Sequence, residues 1–362
     1  MRGEVSSNPA VSLSNRGNVR KASPTDECPS CRFMPACLQR ADLRAIRRYQ
    51  ASPSSNGNPM AEELPFKKTM IFAYGEPREL APGVVRIVAN NPSHFTFKGT
   101  NTYLVGTRSL ALIDPGPDDP AHLEAILRTV GPRRISHVVI THTHRDHTDG
   151  MPALLAATAG AKTVGFGRRV ANRGTKRTSP SGGEYVEQDF IPDVPLADGQ
   201  RLEGDGWALT ALHTPGHAPD HLCFALEATK ILFSGDHVMG WNTSVVAPPE
   251  GSMGAYIRSL QRLTERSDEL YFPGHGGQVG EPQRLVKAYL LHRRMREQSI
   301  LECIRGGNDT VRAIVPIVYK DLDPKLLNAA SLSVLAHVEH LIERGLVYCD
   351  SPLSVDRALS IS

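Results

Sequence analysis

The heptapeptide Thr141-His142-Thr143-His144-Arg145-Asp146-His147 constrains this chain more than any other feature of its sequence. It holds three histidines and an aspartate, directly after the apolar run Val138-Val139-Ile140 and shortly before Gly150. An apolar run that stops at such a cluster reads as a buried strand with a site at its C-terminal end, where open α/β domains bind ligands. Imidazole nitrogens and carboxylate oxygens suit zinc at about 2.0–2.2 Å. In a loop, His142 and His144 can point one way while Asp146 and His147 point another, so one short segment can feed two metals. Three further residues repeat the placement. His217 lies in His213-Thr214-Pro215-Gly216-His217, Asp236 in Phe233-Ser234-Gly235-Asp236, and His275 in Tyr271-Phe272-Pro273-Gly274-His275-Gly276. Each follows a strand candidate on a glycine-containing turn. Seven donors so placed argue against histidines merely packed in a core.

The surrounding texture supports a layered α/β domain. Strand candidates fall at 84–88, 101–105, 110–114, 138–140, 208–212, 222–226, 230–233 and 269–272. Helical spacing falls at 121–130, 151–159 and 256–263. Strands alternating with helices imply helices packed outside sheets. After Gly280 come a long helix at 283–303, helices at 310–319, 324–330 and 331–344, and a strand after Gly345. This is the pattern of a small winged-helix-like module. Residues 1–65 are poor in apolar residues and rich in Ser, Asn, Pro and Gly, which suits a disordered extension. The expected division is therefore 1–65, 66–280 and 281–362.

Composition excludes several classes. A formal net charge of +3 gives no general attraction to polyanions, although a local basic patch is compatible with it. No apolar run reaches the roughly 20 residues needed to cross a bilayer. The N-terminus has no apolar signal-peptide core, so the expected location is the cytoplasm and no membrane partner is expected. Six cysteines in 362 residues are no secreted disulfide framework. Cys223, Cys303 and Cys349 read as buried thiols. Cys28, Cys31 and Cys37 start with metal-like spacing, but no nearby histidine supplies a fourth ligand, so free thiols are the reading there.

The H-x-H-x-D-H loop with its later His, Asp and His resembles the metallo-β-lactamase superfamily. Within it, the chain is most similar to the branch containing beta-lactamase-like protein 2. Three stretches carry that similarity: Phe97-Lys98-Gly99-Thr100-Asn101-Thr102-Tyr103-Leu104-Val105-Gly106, Leu112-Ile113-Asp114-Pro115-Gly116, and Tyr289-Leu290-Leu291-His292-Arg293-Arg294-Met295-Arg296-Glu297-Gln298. The resemblance covers about residues 66–350. It implies an αββα sandwich followed by a winged-helix-like domain. It implies that His142, His144 and His217 bind a first metal, that Asp146, His147 and His275 bind a second, and that Asp236 bridges them. It also implies that Asp114 supports the metal loop without ligating.

Two divalent ions, zinc being the expected metal, would lower the pKa of a bound water toward about 7 and supply a bridging hydroxide. Asp146 is the expected catalytic residue, orienting that nucleophile and shuttling its proton. The expected activity is hydrolysis of a small ester, thioester or lactone. The alternatives are a single-stranded RNA endoribonuclease and a non-catalytic winged-helix nucleic-acid binder. Basic residues at 284–296 read as the solvated face of a helix, with phosphate contact as the functional alternative. Few aromatic residues, 6%, argue against a dedicated single-strand groove. Among the other histidines, His213 and His221 read as supports of a ligand turn, His237 as a residue of the cleft edge, and His94 as part of a loop that rims the site. His122, His137, His337 and His340 read as surface or packing residues.

Overall fold

Alternation of side chains in the strands sets the layers. In the computed structural model, residues 64–167, 176–178, 184–186 and 190–362 are described. The expectations for residues 1–63, including the cysteine cluster at 28–37, lie outside them. The first sheet has the order β1 (Arg78–Ala81), β2 (Val84–Val88), β3 (Asn101–Val105), β4 (Ser109–Ile113), β5 (Arg134–Val139), β6 (Lys162–Phe166) and then β9 (Val194–Leu196). Its pairs are antiparallel as far as β4 and parallel beyond. The second sheet runs β10 (Arg201–Gly204), β11 (Trp207–His213), β12 (Leu222–Leu226), β13 (Ile231–Gly235) and β14 (Leu270–Pro273), with only β13–β14 parallel. A short hairpin pairs β7 (Lys176–Thr178) with β8 (Glu184–Val186).

Along β4, Ala111 and Ile113 face the second sheet and meet Leu209, Ala211, Phe224 and Phe233. Leu110 and Leu112 face the other way, onto α1 (Pro120–Val130) and Leu154 of α3 (Met151–Ala157). Between these helices lies the single turn α2 (Arg145–Thr148). Asp119 caps α1 by accepting from the Ala121 amide, and Gly131 ends it at φ 57°. On the outer face of the second sheet, Cys223, Leu232 and Tyr271 pack against α4 (Met253–Thr264) and the start of α5 (Pro282–Arg305). Two sheets face to face with helices on both outer surfaces make the αββα sandwich that was expected.

The long α5 serves two cores. Its first half, with Leu285, Val286, Tyr289 and Leu290, closes the sandwich. Its second half, with Ile300, Leu301, Cys303 and Ile304, packs on α6 (Val311–Val318), α7 (Leu327–Glu343) and the wing strands β15 (Val347–Tyr348) and β16 (Ser360–Ile361). The two helices expected at 324–330 and 331–344 are one α-helix, α7, after a 3-10 turn at Pro324–Leu326. Ala330, Val334, Val338 and Leu341 share its buried face, and no Gly or Pro stands between them. Strands β1, β6, β9 and β10 were not anticipated. Three of them have only three or four residues, and β6 contains Gly165, whose place for a Cβ is taken by the Phe190 ring at 2.6 Å.

Candidate metal centre

All seven donors meet at one edge of the sandwich. His142 follows β5, while Asp146 and His147 ride on α2. His217 follows β11, Asp236 follows β13, and His275 follows β14. Parallel pairing of β13 with β14 sets Gly235 against Pro273, which brings Asp236 beside His275. Gly274 is required there, because a Cβ would stand 2.4 Å from Asp236 Oδ1 and 2.7 Å from His147 Cε1. Gly216 in the Thr-Pro-Gly-His turn is equally constrained: at φ 143°, its Cβ would meet the Tyr256 backbone at 2.3 Å.

Two groups share the site. In the first, His142 Nε2 and His217 Nε2 approach His144 Nδ1 at 2.9 and 3.0 Å. In the second, His275 Nε2 lies 3.2 Å from Asp146 Oδ2, and His147 Nε2 lies 3.5 Å from the same oxygen. Asp236 stands between them, its Oδ2 3.2 Å from His275 Nε2 and 3.7 Å from His217 Nε2. Potential ligand atoms cluster within 4.8 Å in the sets His142–His144–His217, His142–His147–Asp236 and Asp146–His147–His275.

The electrostatics divide in the same way. Burial pushes His142 well down and His217 to about 4, with the neighbouring histidines adding to the effect. These rings are unprotonated at neutral pH and offer lone pairs. Burial also disfavours charge on His147 and His275, but their carboxylate neighbours outweigh it. His147 is raised well above its usual range, and His275 is pushed up to about 9. For Asp146 and Asp236 burial acts upward, yet His147 and His275 hold both carboxyls below the ordinary carboxylate range. Two anions that gather protons onto their neighbours suit a cation in place of those protons. Asp236 Oδ1 is buried without a hydrogen-bond donor, as a carboxylate meant for a metal would be. The donor set therefore fits divalent metal.

The far sides of the rings are fixed. His147 Nδ1 donates to Asp114 Oδ2 at 2.8 Å, His217 Nδ1 to the Val245 carbonyl at 2.6 Å, and His275 Nδ1 to the Gly99 carbonyl at 3.3 Å. Such partners set tautomer and orientation in metal-binding histidines. Asp114 also accepts from the Thr141 amide and hydroxyl at 2.8 and 2.7 Å, and its φ of 53° is one Asp tolerates. His144 is reversed: Nδ1 points inward and Nε2 lies 3.5 Å from Glu250.

Several supports were not read from the sequence. The Asn101 side chain donates to the Pro273 and Gly276 carbonyls, and Tyr103 donates to that of Pro273, holding the His275 turn. The Gly-Thr-Asn-Thr-Tyr-Leu-Val stretch was the available signal, but no role was attached to its residues. His221 accepts from the Asp236 amide at 3.1 Å, so it supports a ligand turn as expected. His213 bonds across the His217 turn, its Nε2 donating to the Pro219 carbonyl at 2.9 Å, and stacks on Phe166. His237 is not at the cleft edge: it is buried against the Tyr256 ring. His94 is exposed in the loop after β2. His122 and His137 pack, on Thr102 and Trp207 respectively. Arg293, read as exposed, is buried.

Residues 95–275 match the metallo-beta-lactamase superfamily, and residues 310–351 match the beta-lactamase associated winged helix domain. The chain is 34% identical to a beta-lactamase-like protein 2 homolog of Drosophila melanogaster over 74% of this chain and 90% of that one. It is 33% identical to an atrochrysone carboxyl ACP thioesterase of Aspergillus chevalieri, over 71% and 81%. A beta-lactamase domain protein from Burkholderia ambifaria shares the fold with a TM-score of 0.67 at 19% identity, over 81% of this chain and 95% of that one. A metallo-beta-lactamase family protein from Thermus thermophilus does so with 0.65 at 22%, over 78% and 100%. Sandwich, site and sequence likeness converge: the chain belongs to the metallo-beta-lactamase superfamily and carries that superfamily's associated winged helix domain.

Proposed function

We propose that this protein is a dinuclear metal-dependent thioesterase acting on a small acyl thioester, and that zinc is its metal. One observation carries the proposal: two donor groups converge on a shared Asp236, whose Oδ2 reaches His217 of one group and His275 of the other. In this reading His142, His144 and His217 hold one ion, Asp146, His147 and His275 hold the other, and Asp236 serves both. The metallo-β-lactamase domain occupies 66–280 and borrows the first half of α5 to close its core, and the winged-helix domain fills the rest of 281–362. The thioester preference is supported by the relative named as an atrochrysone carboxyl ACP thioesterase.

Divalent ions held by these residues would supply an ionisable water near neutral pH and Lewis-acid polarisation of the scissile carbonyl. The chain's residues do the rest. Asp146 has a 30% exposed side chain, whereas His147 and His275 beside it are sealed at 0% and 1%. It is the group of its set that solvent reaches. It orients the attacking water, takes its proton and returns it to the leaving thiolate. Asp114, Asn101 and the Val245 carbonyl keep the rings from turning when substrate enters.

The test is turnover by metal-quantified protein of an acyl-thioester and lactone panel, a penicillin, a carbapenem and a labelled single-stranded RNA. Thioester hydrolysis is expected, with Asp146→Ala reducing kcat by about 100-fold or more. β-Lactam turnover is expected to be negligible. RNA cleavage that Asp146→Ala abolishes, without thioester turnover, would replace this reading with the ribonuclease one. Burial of Arg293 and half-burial of Arg296 remove two of the basic positions that reading relied on.

A further inference from the structure

Residues 236–246 connect β13 to the approach of α4 with no strand or helix of their own. Yet this segment carries Asp236 at one end, and near the other the Val245 carbonyl that accepts from His217 Nδ1. A backbone without a ladder needs other partners to hold still. Two side chains one turn apart on α5 supply them. The Tyr289 hydroxyl lies between the Met239 and Asn242 carbonyls, either of which can accept its one proton, and it accepts from the Met239 amide at 3.3 Å. Arg293 Nη2 donates to the Ser244 carbonyl at 2.5 Å. Ser244 Oγ in turn donates to the Asp236 carbonyl, and Tyr256 donates to that of His237 at 2.8 Å. The guanidinium lies over the Tyr256 ring, 5.3 Å from its centroid.

Both α5 residues are sealed from solvent, Tyr289 at 0% and Arg293 at 2%. Burying a guanidinium is costly, and here its Nε is left without a partner. A leucine or methionine would fill that volume without the penalty. The arginine is explained by the carbonyl it holds, because an aliphatic side chain has no donor to offer.

We propose that Tyr289 and Arg293 are positioning residues for the metal centre: α5 grips the 236–246 segment and thereby fixes both Asp236 and the carbonyl that orients His217. This rests on the metal-centre reading above. It gives α5 a task at the active centre, although the helix lies between the two matched regions of the chain.

The experiment compares wild-type protein with Tyr289→Phe, Arg293→Met and Arg293→Lys. Zinc affinity is read by chelator competition on protein shown to be folded. Amide exchange across 236–246 is read on the metal-free protein. Weakening of zinc binding by about 10–100-fold is expected for Arg293→Met, and about tenfold for Tyr289→Phe, which keeps the ring and loses only the hydroxyl. Arg293→Lys should fall between Arg293→Met and wild type, and exchange in the segment should quicken in the same order. A residue that only packs would lower the melting temperature and leave zinc affinity alone. Folded variants with zinc affinity within about twofold of wild type and unchanged exchange would overturn the proposal. Should Arg293→Met not fold, Tyr289→Phe decides. A wild type that binds no zinc or other divalent ion would instead overturn the metal reading, and the proposal with it.

Discussion

Gly274 shows how little room the site leaves at the scale of single residues. Its missing side chain is the space that lets Asp236 Oδ1 and His147 approach. Gly274→Ala should destabilise the metal-free protein by about 1–3 kcal/mol, as overpacking does, and should weaken zinc binding, because relief requires moving a donor. Thermal melting with and without zinc reads both effects, and an alanine variant indistinguishable from wild type would refute the argument. The seven donors themselves were visible in the sequence because histidines and aspartates gathered at strand ends suit ligation far better than packing. Their partners were not, because Asn101, Tyr103 and His221 are ordinary polar residues until folding sets them against the 273–276 turn or the Asp236 amide.

At the scale of elements, α5 and α7 are joined by a buried carboxylate. Glu297, 4% exposed, accepts from His340 Nδ1 at 2.6 Å and from Arg344 Nη1 at 2.9 Å, with His337 Nδ1 3.7 Å away. Burial acts upward on its carboxyl, but His337 and His340 outweigh that and hold it at about 2, against an ordinary 4.5. Glu297 therefore stabilises the fold fully above pH 4.5, and the contribution is lost as pH falls toward 2. His337 adds a loss in the same direction. Burial holds it at about 4, so below 6.5 the unfolded chain takes a proton that the folded protein refuses. Urea midpoints in the presence of chelator should fall steadily from pH 6.5 downward. Glu297→Gln should cost about 3 kcal/mol at pH 7, and its deficit relative to wild type should shrink between pH 4.5 and 2. A deficit independent of pH would mean that the charge is not what matters. This cluster was missed from sequence because His337, His340 and Glu297 look like the polar faces of two separate helices.

For the whole molecule, the sandwich and the C-terminal module are joined through a shared helix. Leu285, Val286, Tyr289 and Leu290 of α5 complete the outer core of the second sheet. Burying four such side chains is worth on the order of 6–12 kcal/mol, comparable to the entire stability of a typical domain. A chain ending at residue 280 should therefore lack a cooperative thermal transition, even though it retains all seven donors. A sharp melt from that truncation would show that the sandwich closes without α5. Among the described residues, no helix is long and apolar enough to cross a membrane.

Periodicity and punctuation in the sequence were enough to determine the layered α/β class and the winged-helix module, and to single out the seven His and Asp side chains that the fold gathers at one edge. Those signals are local: an apolar run, a glycine turn, a cluster of histidines and an aspartate. Short strands such as β1 and β10 escaped because a few residues at a sheet edge carry almost no pattern. Only the tertiary structure decided that His144 turns its Nδ1 inward, toward His217, and that Arg293 is buried against the Ser244 carbonyl rather than facing solvent. Each depends on residues dozens of positions apart meeting at close range. The apolar stripe of α5 marks its buried face, but a polar residue beside that stripe gives no sign of burial until its distant partner, here the Ser244 carbonyl, is in place.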